Sequence, residues 1–115
     1  MRQDSNKLMR NITAVLIFSG LANVNLAIAD GAGIYNSTCV VCHGEDGKGV
    51  LPGVPDLTES AGPLSKADNE LLNNVVNGFQ SPGSPMAMPA KGGNTSLSNE
   101  DVQVVLKYMK EKFRK

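Results

Sequence analysis

The feature that most restricts this chain is the run Cys39-Val40-Val41-Cys42-His43. Two thiols and an imidazole fall within about one turn of backbone, and no other cysteine or histidine occurs in the 115 residues. Whatever chemistry the run performs, no second Cys or His of this chain assists it. A structural zinc ion wants four such ligands, and only three are present. A thioredoxin-like CxxC belongs to a strand-to-helix junction in a βαβ pattern, whereas this run follows a helical stretch and no segment alternates like a strand. A disulfide between Cys39 and Cys42 would close a loop too small to stabilise a chain.

The segment before the run reads as a leader. Arg2, Lys7 and Arg10 form a basic start, and Ile12 to Ala29 then holds 18 residues without a charge. Ala27-Ile28-Ala29 has the small-x-small form of a cleavage site, so residues 1–29 are expected to be a secretory signal peptide cut before Asp30. The alternative is a retained membrane anchor, but 18 residues containing Asn23 and Asn25 are a poor span. A lipid anchor would need a cysteine at the cut. The mature chain is then residues 30–115, one domain, exported to the periplasm and carrying 8 basic against 10 acidic residues. That balance leaves no footprint for nucleic acid.

The mature segment cannot build much of a core from side chains. It holds 11 Gly and 6 Pro, no Trp, and only Tyr35, Phe79, Tyr108 and Phe113 as aromatics. Domains this small often need a disulfide, a metal or a cofactor. Asp30–Cys42 is expected to form a first helix. Residues 44–62 are a loop punctuated by Gly and Pro. Ser65 is expected to cap a second helix, with Asp68 at its third position, and Ala67, Leu71, Leu72, Val75, Val76 and Phe79 follow helical period before a stop at Gly78. After a Pro-rich loop over 80–95, Ser98 and Asp101 form a capping box. Leu97 and Val102 form the hydrophobic staple, and Val102, Val105, Leu106, Met109 and Phe113 form one buried stripe. Lys107, Lys110, Lys112, Arg114 and Lys115 crowd the end of that helix, where cations complement the helix dipole; a partner-docking patch is the alternative. The expected class is all-α, with three or more short helices and long Gly/Pro loops.

C-x-x-C-H is the attachment pattern of c-type haem. Two thiols add to the two vinyl groups on one edge of the macrocycle, and the adjacent His43 comes up beneath the iron. One haem c, held covalently through Cys39 and Cys42, is therefore the expected cofactor. Because His43 stands alone, bis-histidine ligation within the chain is excluded. The sixth ligand is Met, Lys, the amino terminus, water or nothing. Met109 belongs to the buried stripe. Met86 and Met88 lie in Ser84-Pro85-Met86-Ala87-Met88-Pro89, and Pro89 biases Met88 towards an extended, stiff conformation. Met88 is the preferred iron ligand and Met86 the one that packs nearby.

From Asp30 onward the chain resembles the small bacterial class I (monohaem) c-type cytochromes. The resemblance is carried by Gly31, Tyr35, Cys39-Val40-Val41-Cys42-His43-Gly44, Glu45-Asp46-Gly47-Lys48-Gly49, Val54-Pro55-Asp56-Leu57, Ala87-Met88-Pro89-Ala90-Lys91-Gly92-Gly93 and Val105-Leu106-Lys107-Tyr108-Met109. It implies the class I fold wrapped around one haem, with Met88 as distal ligand to the iron and His43 as proximal ligand. It implies that the Pro55 carbonyl accepts a hydrogen bond from His43, that Leu57 packs on the haem, and that Gly31 and Tyr35 sit where the first helix crosses the last near Tyr108. Met86, two residues before the matching methionine, departs from the plainest form of the pattern. The implied function is a soluble electron carrier and not an enzyme, probing other redox proteins through transient contacts at the haem edge, as a monomer with no membrane insertion once the leader is cut. Two alternatives are a cytochrome subunit of a periplasmic redox enzyme and a haem sensor or peroxidase with an open iron position.

Overall fold

A computed structural model describes residues 30–115. The expected signal peptide over 1–29 lies outside the described residues. Among the described residues four α-helices run in chain order: α1 (Gly31–Ile34), α2 (Val40–His43), α3 (Asp68–Asn77) and α4 (Asn99–Phe113). Short 3₁₀ turns at Pro63–Ser65 and Ala90–Gly93 punctuate the connections. Among the described residues the only β-type pairing is a single bridge between Phe79 and Met88, and no helix is long and apolar enough to cross a membrane.

The expected first helix is present but not uniform. Asp30 caps it, accepting from the Ala32 N–H at 3.1 Å. A π turn at Tyr35–Cys39 then joins α1 to α2, with the Val40 N–H reaching back to the Tyr35 carbonyl. One inserted residue rotates the following side chains by roughly 100°, so α1 and the Cys-rich end present different faces. Such wide turns are frequent at functional sites.

α1 crosses α4 at a glycine. A Cβ on Gly31 would stand 2.7 Å from the Tyr108 Cβ and 2.9 Å from the Val104 carbonyl oxygen. Only hydrogen fits there. Tyr35 is fully buried and tilts against Tyr108 and Phe113, with ring centroids 5.8 and 5.3 Å away. Three of the four aromatics of the described segment are therefore spent on this one joint. The crossing implied by the resemblance is present.

α4 follows its sequence closely. The Asp101 N–H donates to Ser98 Oγ at 3.0 Å, and the Ser98 N–H donates to Asp101 Oδ2 at 2.9 Å. Val102, Val105, Leu106, Met109 and Phe113 are all buried, each contributing roughly 1.5–3 kcal/mol of apolar burial. Of the cations at its end, Lys110 pairs with Asp68 and Lys112 Nζ donates to the Tyr108 hydroxyl at 3.0 Å. The Asp68 side chain is almost fully exposed, so that ion pair stabilises little.

α3 departs from expectation at its start. Ala67, not Ser65, is its N-cap, and Asp68 is its first residue. Pro63 opens a separate 3₁₀ turn, and the Ser65 hydroxyl is spent inside it, donating to the Gly62 carbonyl at 2.6 Å. The helix ends at Asn77 because Gly78 takes φ 84°. Phe79 therefore leaves the helical period and pairs with Met88 instead.

Candidate functional site

The last carbonyls of a helix have no partner within it. At the end of α2 they are met by backbone returning from the following loop. Gly44 N–H donates to Val40 at 2.8 Å, Val50 N–H to Cys42 at 2.9 Å, and Gly49 N–H to His43 at 2.8 Å. Gly49 can do this because it adopts φ 84°, and a Cβ there would collide with the Val54 carbonyl at 2.7 Å. Below the same end, the Tyr35 hydroxyl donates to the Gly44 carbonyl at 2.6 Å. Burial pushes that phenol up to about 12, so it stays protonated and keeps donating. Cys39, Cys42 and His43 thus hang on a helix end whose polar groups are locked.

Tyr35→Phe is expected to keep the fold and lose this lock. The Gly44 carbonyl would remain buried and lose its partner, at a cost of about 1–3 kcal/mol. Denaturant unfolding checks it: the midpoint should drop with the slope unchanged.

The three side chains open into a cavity of about 440 Å³, a size usual for small-molecule and cofactor sites (roughly 300–1,000 Å³). Pro55, Leu57, Met86 and Met88 lie in its wall as well, so all seven residues singled out around the haem are brought together. The remaining wall is mainly apolar. Sequence reasoning missed several members of it. Thr38 enters one residue before Cys39, and Leu64, Lys66 and Asn74 enter from around α3. The buried stripe of α4 serves twice, since Val105, Leu106 and Met109 are both core and wall.

Among the described residues, His43 is the only buried polar or charged side chain of the core. Burial pushes its imidazole below the ordinary value, leaving it neutral at pH 7, the form that can donate a lone pair to a metal. The hydrogen bond implied from His43 to the Pro55 carbonyl is not made: the buried Nδ1 has no partner. The path of the loop is set instead by its own backbone, with the Leu57 N–H on the Gly47 carbonyl at 2.8 Å and the Val54 N–H on the Leu51 carbonyl at 3.2 Å. Pro55 contributes to the wall, not to the ring.

Cys39 and Cys42 are not bridged to each other. Burial, and then the neighbouring Cys42, pushes the Cys39 thiol up to about 11. A redox-active CxxC needs a depressed thiol, and this one is shifted the opposite way.

The two methionines differ in how they are held. The Met88 backbone is paired in both directions with Phe79, its N–H donating at 2.7 Å and its carbonyl accepting at 3.0 Å. Met86 is exposed and is held by the Ser84 side chain alone, whose hydroxyl donates to its carbonyl at 2.9 Å and accepts from its N–H at 3.5 Å. Beyond Met88, Lys91 takes φ 55°, and the turn is braced by Asn94 Nδ2 donating to Thr38 Oγ1 at 3.3 Å. Two unbridged thiols, a neutral buried imidazole and a thioether on one apolar cavity are a donor set that fits a covalently held haem.

A family model described as cytochrome c oxidase, cbb3-type, subunit III matches residues 26–109. Cytochrome c-555 of Chlorobaculum tepidum is 33% identical over 98 residues, covering 85% of this chain and 87% of that protein. An alcohol dehydrogenase (quinone), cytochrome c subunit, from Gluconacetobacter polyoxogenes is 30% identical over 93 residues, covering 78% of this chain and 20% of that protein. Among solved structures, the KustC0563 c-type cytochrome superposes with TM-score 0.57 at 23% identity, over 75% of this chain and 99% of that one, a likeness of fold. The c-type cytochrome XoxG from Methylobacterium extorquens AM1 superposes with TM-score 0.51 at 28% identity, over 74% of this chain and 51% of that one. The all-α architecture expected from sequence agrees with these neighbours.

Proposed function

This chain belongs to the small class I c-type cytochromes, and from that premise we propose that it is an exported single-electron carrier whose haem iron lies between His43 and Met88. Membership brings one covalently bound haem c and the role of electron carrier. The finer reading rests above all on the shared wall of Cys39, Cys42, His43 and Met88. Cys39 and Cys42 hold the macrocycle through thioethers. His43 is the proximal ligand, kept neutral by burial and positioned by the locked end of α2. Met88 is the distal ligand, placed by its backbone pairing with Phe79. Pro55 and Leu57 pack as wall. The bound iron supplies a one-electron couple, and His/Met ligation places it at the higher-potential end of common axial sets.

With both axial positions filled by protein, the chain offers no place for a substrate on the metal. Its work is to exchange electrons through the exposed edge of the site with other redox proteins, in short-lived contacts typical of small interfaces. It acts as a monomer in the periplasm, free of the membrane once the leader is cut after Ala29.

Two measurements on the exported protein test this. Intact mass should equal residues 30–115 plus one haem. The oxidised protein should give a low-spin spectrum with a weak sulfur-to-iron band in the far red. A high-spin spectrum would sink the His/Met assignment in favour of an open iron position. The likeness to the cytochrome subunit of a quinone alcohol dehydrogenase keeps a second reading in play, a subunit stably bound to an enzyme. Elution as a free monomer at physiological concentration counts against it.

A further inference from the structure

Among the described residues that line the cavity, Lys66 is the only lysine, arginine or carboxylate. The hydroxyl and amide side chains of the wall, Thr38, Ser65, Asn74 and Ser81 among them, carry no acid or base group. A cation in a mainly apolar wall is costly unless an anion faces it. The ammonium is also held in place. Its Nζ lies 4.4 Å from the centroid of the Phe79 ring and 3.4 Å from Glu70 Oε1. Its side chain is 33% exposed, so it borders solvent at the cavity edge. Asn74, one turn beyond Glu70 on α3, enters the same wall. The α3 side of the cavity is thus where charge and amide meet, whereas the thiols enter from the π turn and α2.

Haem carries two carboxylate side chains, and they project from a different edge of the macrocycle from the vinyl groups. With one edge bound to Cys39 and Cys42, the carboxylates must find their partners elsewhere along the wall. We propose that Lys66 is the charge partner of a haem carboxylate, positioned by Phe79 and Glu70, and that it sets the electron affinity of the site. The proposal rests on the haem reading above. A fixed cation disfavours the more positive, oxidised iron, so Lys66 draws the couple towards the reduced state.

The test uses the exported holoprotein. In Lys66→Gln the haem mass and the far-red band should persist. The electron-exchange equilibrium with a mediator dye should shift about three- to fivefold towards oxidised protein, the size expected for one partly screened charge. The carboxylate bands in redox-difference infrared spectra should move as well. Lys66→Arg should restore the equilibrium, and Lys107→Gln, the same charge change at an exposed site outside the cavity, should leave the infrared bands unmoved. Carboxylate bands and equilibrium at parental values in Lys66→Gln would overturn the proposal. So would equal shifts in Lys107→Gln. Absence of haem from the parent protein would overturn the haem reading itself, and is read separately by mass.

Discussion

Replacing Cys39 and Cys42 together with alanine is expected to give a chain that carries no covalent haem and no longer unfolds cooperatively. The reason lies in how little else fills the molecule. The buried apolar set is ten residues, and six of them, Leu57, Leu64, Leu71, Val105, Leu106 and Met109, also face the cavity of about 440 Å³. At about 24 cal/mol per Å³ of empty volume, a dry cavity of that size would cost on the order of 10 kcal/mol. That rivals the whole stability of a typical domain, about 5–15 kcal/mol. The cavity is open at its mouth, so water and partial collapse would reduce the figure, but only by giving up the present arrangement. Intact mass, a covalent haem stain and a thermal melt followed by circular dichroism check this. A sharp melt at the parental temperature without haem would refute the view that the cofactor is the missing core.

The second large effect is expected at Met88. Met88→Ala should keep the haem mass, since the thiols are untouched, and lose the far-red sulfur-to-iron band. The midpoint potential should fall by something on the order of 0.1–0.2 V, within the roughly 0.8 V that axial ligands span. Met86→Ala should change neither. The contrast follows from the backbone: Met88 is paired twice with Phe79, and Met86 is not. Loss of the band in Met86→Ala and its survival in Met88→Ala would exchange their roles.

The parts of this molecule that were legible in its sequence are those governed by neighbours along the chain. The Ser98–Asp101 box, the Leu97–Val102 staple and the stripe through Phe113 are local, and α4 follows them. Gly78 ends α3 for the same reason. The gathering of Cys39, Cys42, His43, Leu57 and Met88 around one cavity was legible through a motif and a family resemblance, which carry long-range information that spacing alone does not. What failed was decided by contacts far apart or by competition within a turn. Ser65 had the composition of a cap, but Pro63 drew its hydroxyl into a 3₁₀ turn. Nothing in Tyr35–Cys39 announces a π turn; the burial of Tyr35 against α4 goes with it. Lys66 reads as a surface lysine until Phe79, thirteen residues on, is folded beneath it.

The two walls that carry the proposed axial groups are fastened very unequally. The His43 side is tied by backbone and hydroxyl bonds at 2.6–2.9 Å from Gly44, Gly49, Val50 and Tyr35. The segment from Gln80 to Gly93 closes on itself through the Phe79–Met88 pair. Its hydrogen bonds to the body, among the described residues, are long side-chain ones: Ser84 Oγ to the Gly53 carbonyl at 3.4 Å, and Asn94 Nδ2 to Thr38 at 3.3 Å just beyond its end. Such a segment is a separate cooperative unit in the sense that hydrogen exchange resolves. Its amides are expected to exchange at a lower free energy of opening than those of α4, which native-state hydrogen exchange would check. On that expectation the Met88 side of the cavity loosens before the His43 side, and the order in which the fold is dismantled starts there.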